Sequence, residues 1–87
     1  MGQKLQKSVF SRGYKLFLAR LREARLAAGL TQQDVAQRLG QSQSFVSKCE
    51  RGERRVDVIE LRAFCQAFGV SMPTFVRRLE VALRNRA

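Results

Sequence analysis

The residues with the most chemistry to offer lie in the stretch "LTQQDVAQRLGQSQSFVSKCERGERR", Leu30 to Arg55. Gln43, Ser44, Lys48 and Phe45 fall on or beside one face of a short helical pattern. Gln43 carries an amide that donates and accepts at once, which is what a bidentate pair with adenine requires. Such a pair is worth roughly 1–3 kcal/mol of discrimination. Ser44 can serve any base, and Lys48, one turn further on, reaches guanine or a phosphate. Phe45, at the edge of the face, either touches a thymine methyl or packs against the preceding helix. A second set suits phosphate. Thr31 and Gln32 open a helix whose free N–H groups and positive dipole favour an anion. Ser42 and Ser47 are small donors, Arg51 points the same way, and Arg54 and Arg55 are clamps in a connector, unless that connector is simply solvated.

Composition points to a polyanionic partner. The chain has 87 residues, enough for one small domain, and a net charge of +10. The excess sits at the two ends: residues 1–30 hold seven Lys/Arg against one acid, whereas residues 31–69 hold six against five. DNA, RNA or an anionic membrane surface would be attracted to such a field. Catalysis is not expected, because there is no histidine and the seven acids are scattered without an obvious pair. Without histidine or a Cys-x-x-Cys pair, no metal and no cofactor is expected either. Cys49 and Cys65 lie on apolar stripes, which predicts buried, reduced thiols in a cytosolic protein. No apolar run is long enough to span a membrane. The arginine-rich N-terminus weakly resembles an organellar transit peptide, but residues 16–28 also fit a core helix.

Five helices are needed to position these groups. Residues 1–13, with Lys4, Lys7 and Arg12, read as a flexible basic arm, suited either to a minor groove or to solvent. Residues 14–87 read as the domain. Phe17, Leu21, Ala24 and Ala28 form one face of a first helix, from about Tyr14, stopped at Gly29. Thr31 and Asp34 have capping-box spacing for a second helix with Val35, Ala36 and Leu39 inside, ended by Gly40. Ser42 caps a third over Gln43 to Arg51, with Val46, Cys49 and Glu50 facing inward. Asp57 caps a fourth, with Val58, Leu61, Phe64, Cys65 and Phe68 apolar. Ser71 and Pro73 suit the first turn of a fifth, with Phe75, Val76, Leu79 and Leu83 inside. Within residues 32–51, Ala36 lets two helices cross closely and Gly40 accepts a positive φ.

The run "GLTQQDVAQRLGQSQSFVSKCERGERRVDVIEL" resembles the Cro/phage-repressor type of helix-turn-helix, the Xre family of regulators. The matching residues are Gly29 to Gln32, Val35-Ala36, Leu39-Gly40, Ser42 to Ser44, Val46-Ser47, Glu50 to Gly52 and Phe68 to Val70, over about Leu18 to Leu79. Gln41 and Cys49 depart from the pattern, Cys49 predicting a slightly looser joint. The resemblance implies an all-α, compact five-helix, lambda-repressor-like DNA-binding domain, usually a homodimer on a palindromic operator. It implies that the third helix reads the major groove, that Gln32 contacts the backbone, and that Arg25 pairs with Glu50 and turns its remaining donors toward phosphate. The function expected is a transcriptional regulator, most simply a repressor with no fused effector domain that occludes a promoter. It would be cytoplasmic, bacterial or phage-encoded, and nucleoid-associated. The alternatives are an antitoxin-like or other protein-interaction module working through the fifth helix, and sequence-tolerant RNA binding. The fifth helix (Phe75, Leu79, Leu83) is the candidate dimer surface.

Overall fold

In a computed structural model that describes residues 11–85, Ser11 opens α1 (Arg12–Ala27) by accepting a hydrogen bond from the Tyr14 N–H at 3.2 Å. Arg12 and Gly13 are therefore helical, two residues earlier than the expected end of the arm. Lys4 and Lys7 lie outside the described residues. Gly29 turns the chain, and Leu30 folds back to donate to the Arg25 carbonyl at 3.2 Å and to pack on the core. Ala28, expected inside, is exposed, because it lies past the last helical residue and Leu30 covers that end instead.

The capping box at Thr31 forms as its spacing predicts. The Thr31 hydroxyl accepts from the Asp34 N–H at 3.0 Å and the Asp34 carboxylate accepts from the Thr31 N–H at 2.9 Å. This starts α2 (Gln32–Leu39), whose C-cap Gly40 has φ 67°. Ser42 caps α3 (Gln43–Glu50), accepting from the Phe45 N–H at 3.1 Å. Asp57 and Glu60 make a second capping box for α4 (Val58–Phe68), and α5 (Met72–Asn85) follows Gly69. Among the described residues there is no strand.

The helices pack as two joined layers. α2 lies on α3 and α4, α1 lies on α3 and α5, and α4 lies on α5. Leu21, Val35, Val46, Cys49, Phe64 and Cys65 are fully enclosed between them. Burial pushes both thiols up in pKa, and neither forms a disulfide. Besides Ala28, two expected core residues are outside it. Val58 is 62% exposed, because Val56 in the connector takes the inner place and Val58 begins α4 beyond its partners. Val76 is 43% exposed, one step round α5 from the buried Phe75. Ala67, which the sequence reading left out, is buried. No helix is long and apolar enough to cross a membrane, among the described residues.

Candidate nucleic-acid interface

The joint between α2 and α3 fixes the outer face of α3. Val35 and Ala36 from α2 meet Val46 and Cys49 from α3 with all four side chains buried. That leaves Gln43, Ser44 and Lys48 exposed along one side, as their spacing predicts, with Ser47 half-buried among them. Phe45 is half-buried; its ring stacks on Phe64 of α4 with centroids 6.5 Å apart. The Arg54 guanidinium covers it at 4.8 Å. Of the two roles open to Phe45, packing is the one the geometry serves, and α4 supplies the ring it stacks on.

Behind this face runs a chain of hydrogen bonds, of which only the Arg25–Glu50 link is expected from the sequence. Gln43 Nε2 donates to Gln32 Oε1 at 2.8 Å. Gln32 Nε2 donates to Glu50 Oε1 at 3.0 Å. Glu50 in turn accepts from Arg25 Nε at 2.6 Å and Arg25 Nη2 at 3.2 Å. Arg25 Nη1 donates to the Leu30 carbonyl at 2.9 Å. The side chains of Arg25 and Glu50 are only 8% and 6% exposed, so this is an enclosed, two-pronged ion pair. Such forked charge-assisted pairs are strong and directional. The expected pairing is present. The pairing engages three of the five N–H donors of Arg25, so any reach to a phosphate falls to the two that remain, one on each terminal nitrogen.

The chain has a directional consequence. Glu50 can only accept, so Gln32 must offer its nitrogen there and its oxygen to Gln43. Gln43 must then offer its nitrogen inward. What remains outward on Gln43 is its Oε1 and the second hydrogen of Nε2. One acceptor beside one donor is the pattern complementary to the major-groove edge of adenine. Gln32, expected on the backbone, is thus also the bridge that orients Gln43. Nothing in the local sequence signals this, because Gln32 and Glu50 are 18 positions apart.

The flanks differ in how free their donors are. At the start of α2 an open cleft of about 510 Å³ is lined by Arg25, Leu26, Gly29, Leu30, Thr31, Gln32, Gln33 and Gln43. Gln33, exposed there, was not singled out from sequence. The N-terminal N–H groups of α2 favour an anion. Asp34 partly offsets them: its carboxyl is held below the usual range by the Thr31 backbone N–H and hydroxyl, and so stays charged. Ser42 accepts in its cap, and its O–H remains free to donate. On the other flank Arg51 donates to Glu53 at 2.9 and 3.2 Å and to Ser47 Oγ at 2.8 Å. Arg54 is paired with Glu60 at 2.8 Å and donates to the Arg55 carbonyl. Arg55 lies over the Tyr14 ring at 4.4 Å, and forms no ion pair among the described residues. Of the two connector arginines, Arg55 is the one whose guanidinium has no carboxylate partner among the described residues. Tyr14, which the sequence reading did not place in this role, holds the connector by accepting from the Val56 N–H at 3.0 Å.

Comparisons with known proteins agree with this arrangement. A family model described as a helix-turn-helix domain matches residues 16–79. A solved XRE-family-like protein from Pseudomonas syringae pv. tomato is 48% identical, with a TM-score of 0.76, and the match covers 80% of this chain and 85% of that one. The curated "Uncharacterized HTH-type transcriptional regulator y4dJ" of Sinorhizobium fredii is 49% identical over 53 residues, or 61% of this chain. The chain spans 65% of the length of that relative. The restriction–modification controller protein C.Esp1396I, solved as a tetramer in complex with its natural 35 base-pair operator, is 25% identical with a TM-score of 0.72. That match covers 79% of this chain and 91% of the controller.

Proposed function

The chain belongs to the Xre-type helix-turn-helix family of DNA-binding transcriptional regulators, and from that premise we propose that it is a repressor reading a specific double-stranded operator with α3 in the major groove. The observation that carries this reading is the chain of bonds Arg25–Glu50–Gln32–Gln43, which holds an exposed amide in one orientation. A freely rotating glutamine accepts several bases, whereas a pre-oriented one favours adenine. Ser44 and Lys48 extend the reading along the groove. Thr31, Gln32, Ser42 and Ser47 grip phosphates on the α2 side and along α3, and Arg51 and Arg55 grip them on the far side. Arg51 exchanges Glu53 for a phosphate on docking, and Arg54 supports Phe45 and the connector. A second copy engages a second half-site, because one such domain touches too few base pairs to be selective alone. The solved controller is consistent with this, being a tetramer on its operator. A helical bundle seated on a promoter excludes polymerase by occupancy, which makes repression the simplest outcome.

Selection from a random duplex pool tests the reading. The wild type should enrich a defined motif. Gln43→Ala should lose preference at one base position, by roughly 1–3 kcal/mol, while keeping the steep salt dependence that phosphate contacts produce. Equal loss at every position, or none, would contradict it.

A further inference from the structure

Most of the charge is not on the reading face. Residues 31–69, which carry α2, α3 and α4, hold six bases against five acids. By contrast, α1 holds five bases against Glu23, and α5 holds three against Glu80. Of the five on α1, Arg25 is spent on Glu50. The remaining excess gathers where α1 and α5 pack together.

A cleft of about 130 Å³ between these two helices is lined by Arg20, Glu23, Ala24, Ala27, Phe75 and Arg78. Arg78 is exposed and forms no ion pair among the described residues. Arg20 Nη2 donates to Glu23 at 2.7 Å, but Arg20 Nε is buried with no acceptor among the described residues. A buried donor without a partner is costly, and an anion that supplies the acceptor recovers that cost. Glu23 is mostly exposed, so its pair with Arg20 contributes little and yields readily. A phosphate in place of Glu23 takes Nε and Nη2 together, the forked geometry a guanidinium favours. Arg12 stands two turns before Arg20 on the same ridge of α1, and Arg77 stands next to Arg78; both are exposed.

The cleft faces away from α3. On one side of α1, Leu18 lies against Gly52 and Arg25 pairs with Glu50. Two residues of helix turn a side chain by about 200°. Arg20 and Ala27 therefore lie on the opposite side, against α5. A duplex held by α3 does not reach Arg20 and Arg78, but a second one can. The chemistry there suits a duplex. The ring in the cleft, Phe75, is buried, so unpaired bases find nothing to stack on. Phe75 and Leu79 are spent on the core, so α5 has no apolar face to lay into a bilayer. Duplex phosphates need only the guanidinium donors.

We propose that the face between α1 and α5, centred on Arg20 and Arg78, is a second and sequence-tolerant binding surface for double-stranded DNA, so that one molecule joins two duplex segments. It is a different face from the one read by α3 and does not depend on that reading.

A capture assay on the full chain tests this. A duplex of random sequence is fixed to beads and loaded with protein, and a labelled second duplex of random sequence is added. Wild type should retain the label. Arg20→Gln combined with Arg78→Gln should retain roughly tenfold less at equal protein loading, and its salt slope should fall by about two, one per guanidinium. Glu23→Gln should retain more label than wild type, because the acid that competes for Arg20 is gone. It should also retain more than Glu80→Gln, which makes the same charge change on α5 outside the cleft. No retention by wild type would overturn the proposal. Full retention by the double variant would assign the second duplex to the α3 face of another copy, and overturns it equally. So would a Glu23→Gln protein no better than Glu80→Gln, or a preference for labelled single strands or phosphatidylserine vesicles over duplex. If circular dichroism shows the double variant unfolded, the comparison of Glu23→Gln with Glu80→Gln decides alone. Selection from the random duplex pool separates the two faces. The double variant should enrich the wild-type motif, and loss of that motif would place Arg20 and Arg78 in the reading face and sink the proposal. If wild type enriches no motif while retention stands, the α3 reading fails and the second surface survives.

Discussion

Removing the Glu50 carboxylate would leave the Arg25 guanidinium enclosed without its counter-charge. Glu50→Ala should therefore cost about 3–5 kcal/mol of unfolding free energy, measured by urea denaturation. That is a large share of the stability of a domain this small. Replacing both partners by apolar residues, Arg25→Met with Glu50→Leu, should recover most of the loss. The recovered protein should nevertheless bind a selected operator less selectively, because Gln32 no longer has Glu50 to orient it toward Gln43. An unchanged preference at the adenine position in that double variant would show that the chain of bonds is structural only. Arg51 has a different balance. Its partner Glu53 is exposed, and so is Arg51 itself, so that pair contributes little to folding and yields readily to a phosphate.

Among the elements, the turn within the α2–α3 unit and the turn after α3 make different demands on glycine. Gly40 has φ 67° and a Cβ there would meet nothing within 4 Å, so Gly40→Ala carries only backbone strain, about 1 kcal/mol. Gly52 has φ 79° and is buried, and its Cβ would lie 3.1 Å from Leu18 Cδ1. Gly52→Ala should be the more damaging of the two in thermal melts; the reverse order would mean that Leu18 gives way freely. These positions also mark what the sequence made legible. Thr31 with Asp34, Ser42, Gly40 and Asp57 each start or stop a helix by local chemistry, so the boundaries of α2, α3 and α4 could be read within a residue or so. The outward face of α3 was legible too, since Val46 and Cys49 fix its rotation. The edges of the core were not. Val58, Val76 and Ala28 have the right spacing, but burial depends on which neighbour overhangs them, and periodicity carries no information about that. The Gln32–Glu50 contact was invisible for the same reason: it exists only once α2 and α3 have packed. Arg25 was placed with Glu50 by resemblance, and the structure adds that the pair is enclosed.

For the molecule as a whole, charge sets both stability and binding. The chain has no histidine, so nothing on its side chains has an ordinary titration near neutrality. The Arg51 guanidinium holds Glu53 below the usual carboxylate range, Arg54 does the same for Glu60, and the Thr31 backbone does so for Asp34. Each of these groups releases its proton more readily folded than unfolded. Their stabilisation is therefore present above the ordinary carboxylate range and is lost as pH falls through their lowered values. Melting temperature should be flat from pH 8 to about 5 and fall below about pH 4. A midpoint that shifts between pH 6 and 7 would contradict this assignment of the titrating groups.

The most direct measurement replaces the adenine that Gln43 is proposed to read with 7-deazaadenine, which removes the major-groove N7 and leaves the Watson–Crick pair intact. Affinity is compared for wild type and Gln43→Ala on both duplexes. The predicted result is a loss of roughly 1–3 kcal/mol for wild type on the altered duplex and none for Gln43→Ala, so that the two changes are not additive. Equal losses for the two proteins would mean that Gln43 does not meet that base in the major groove.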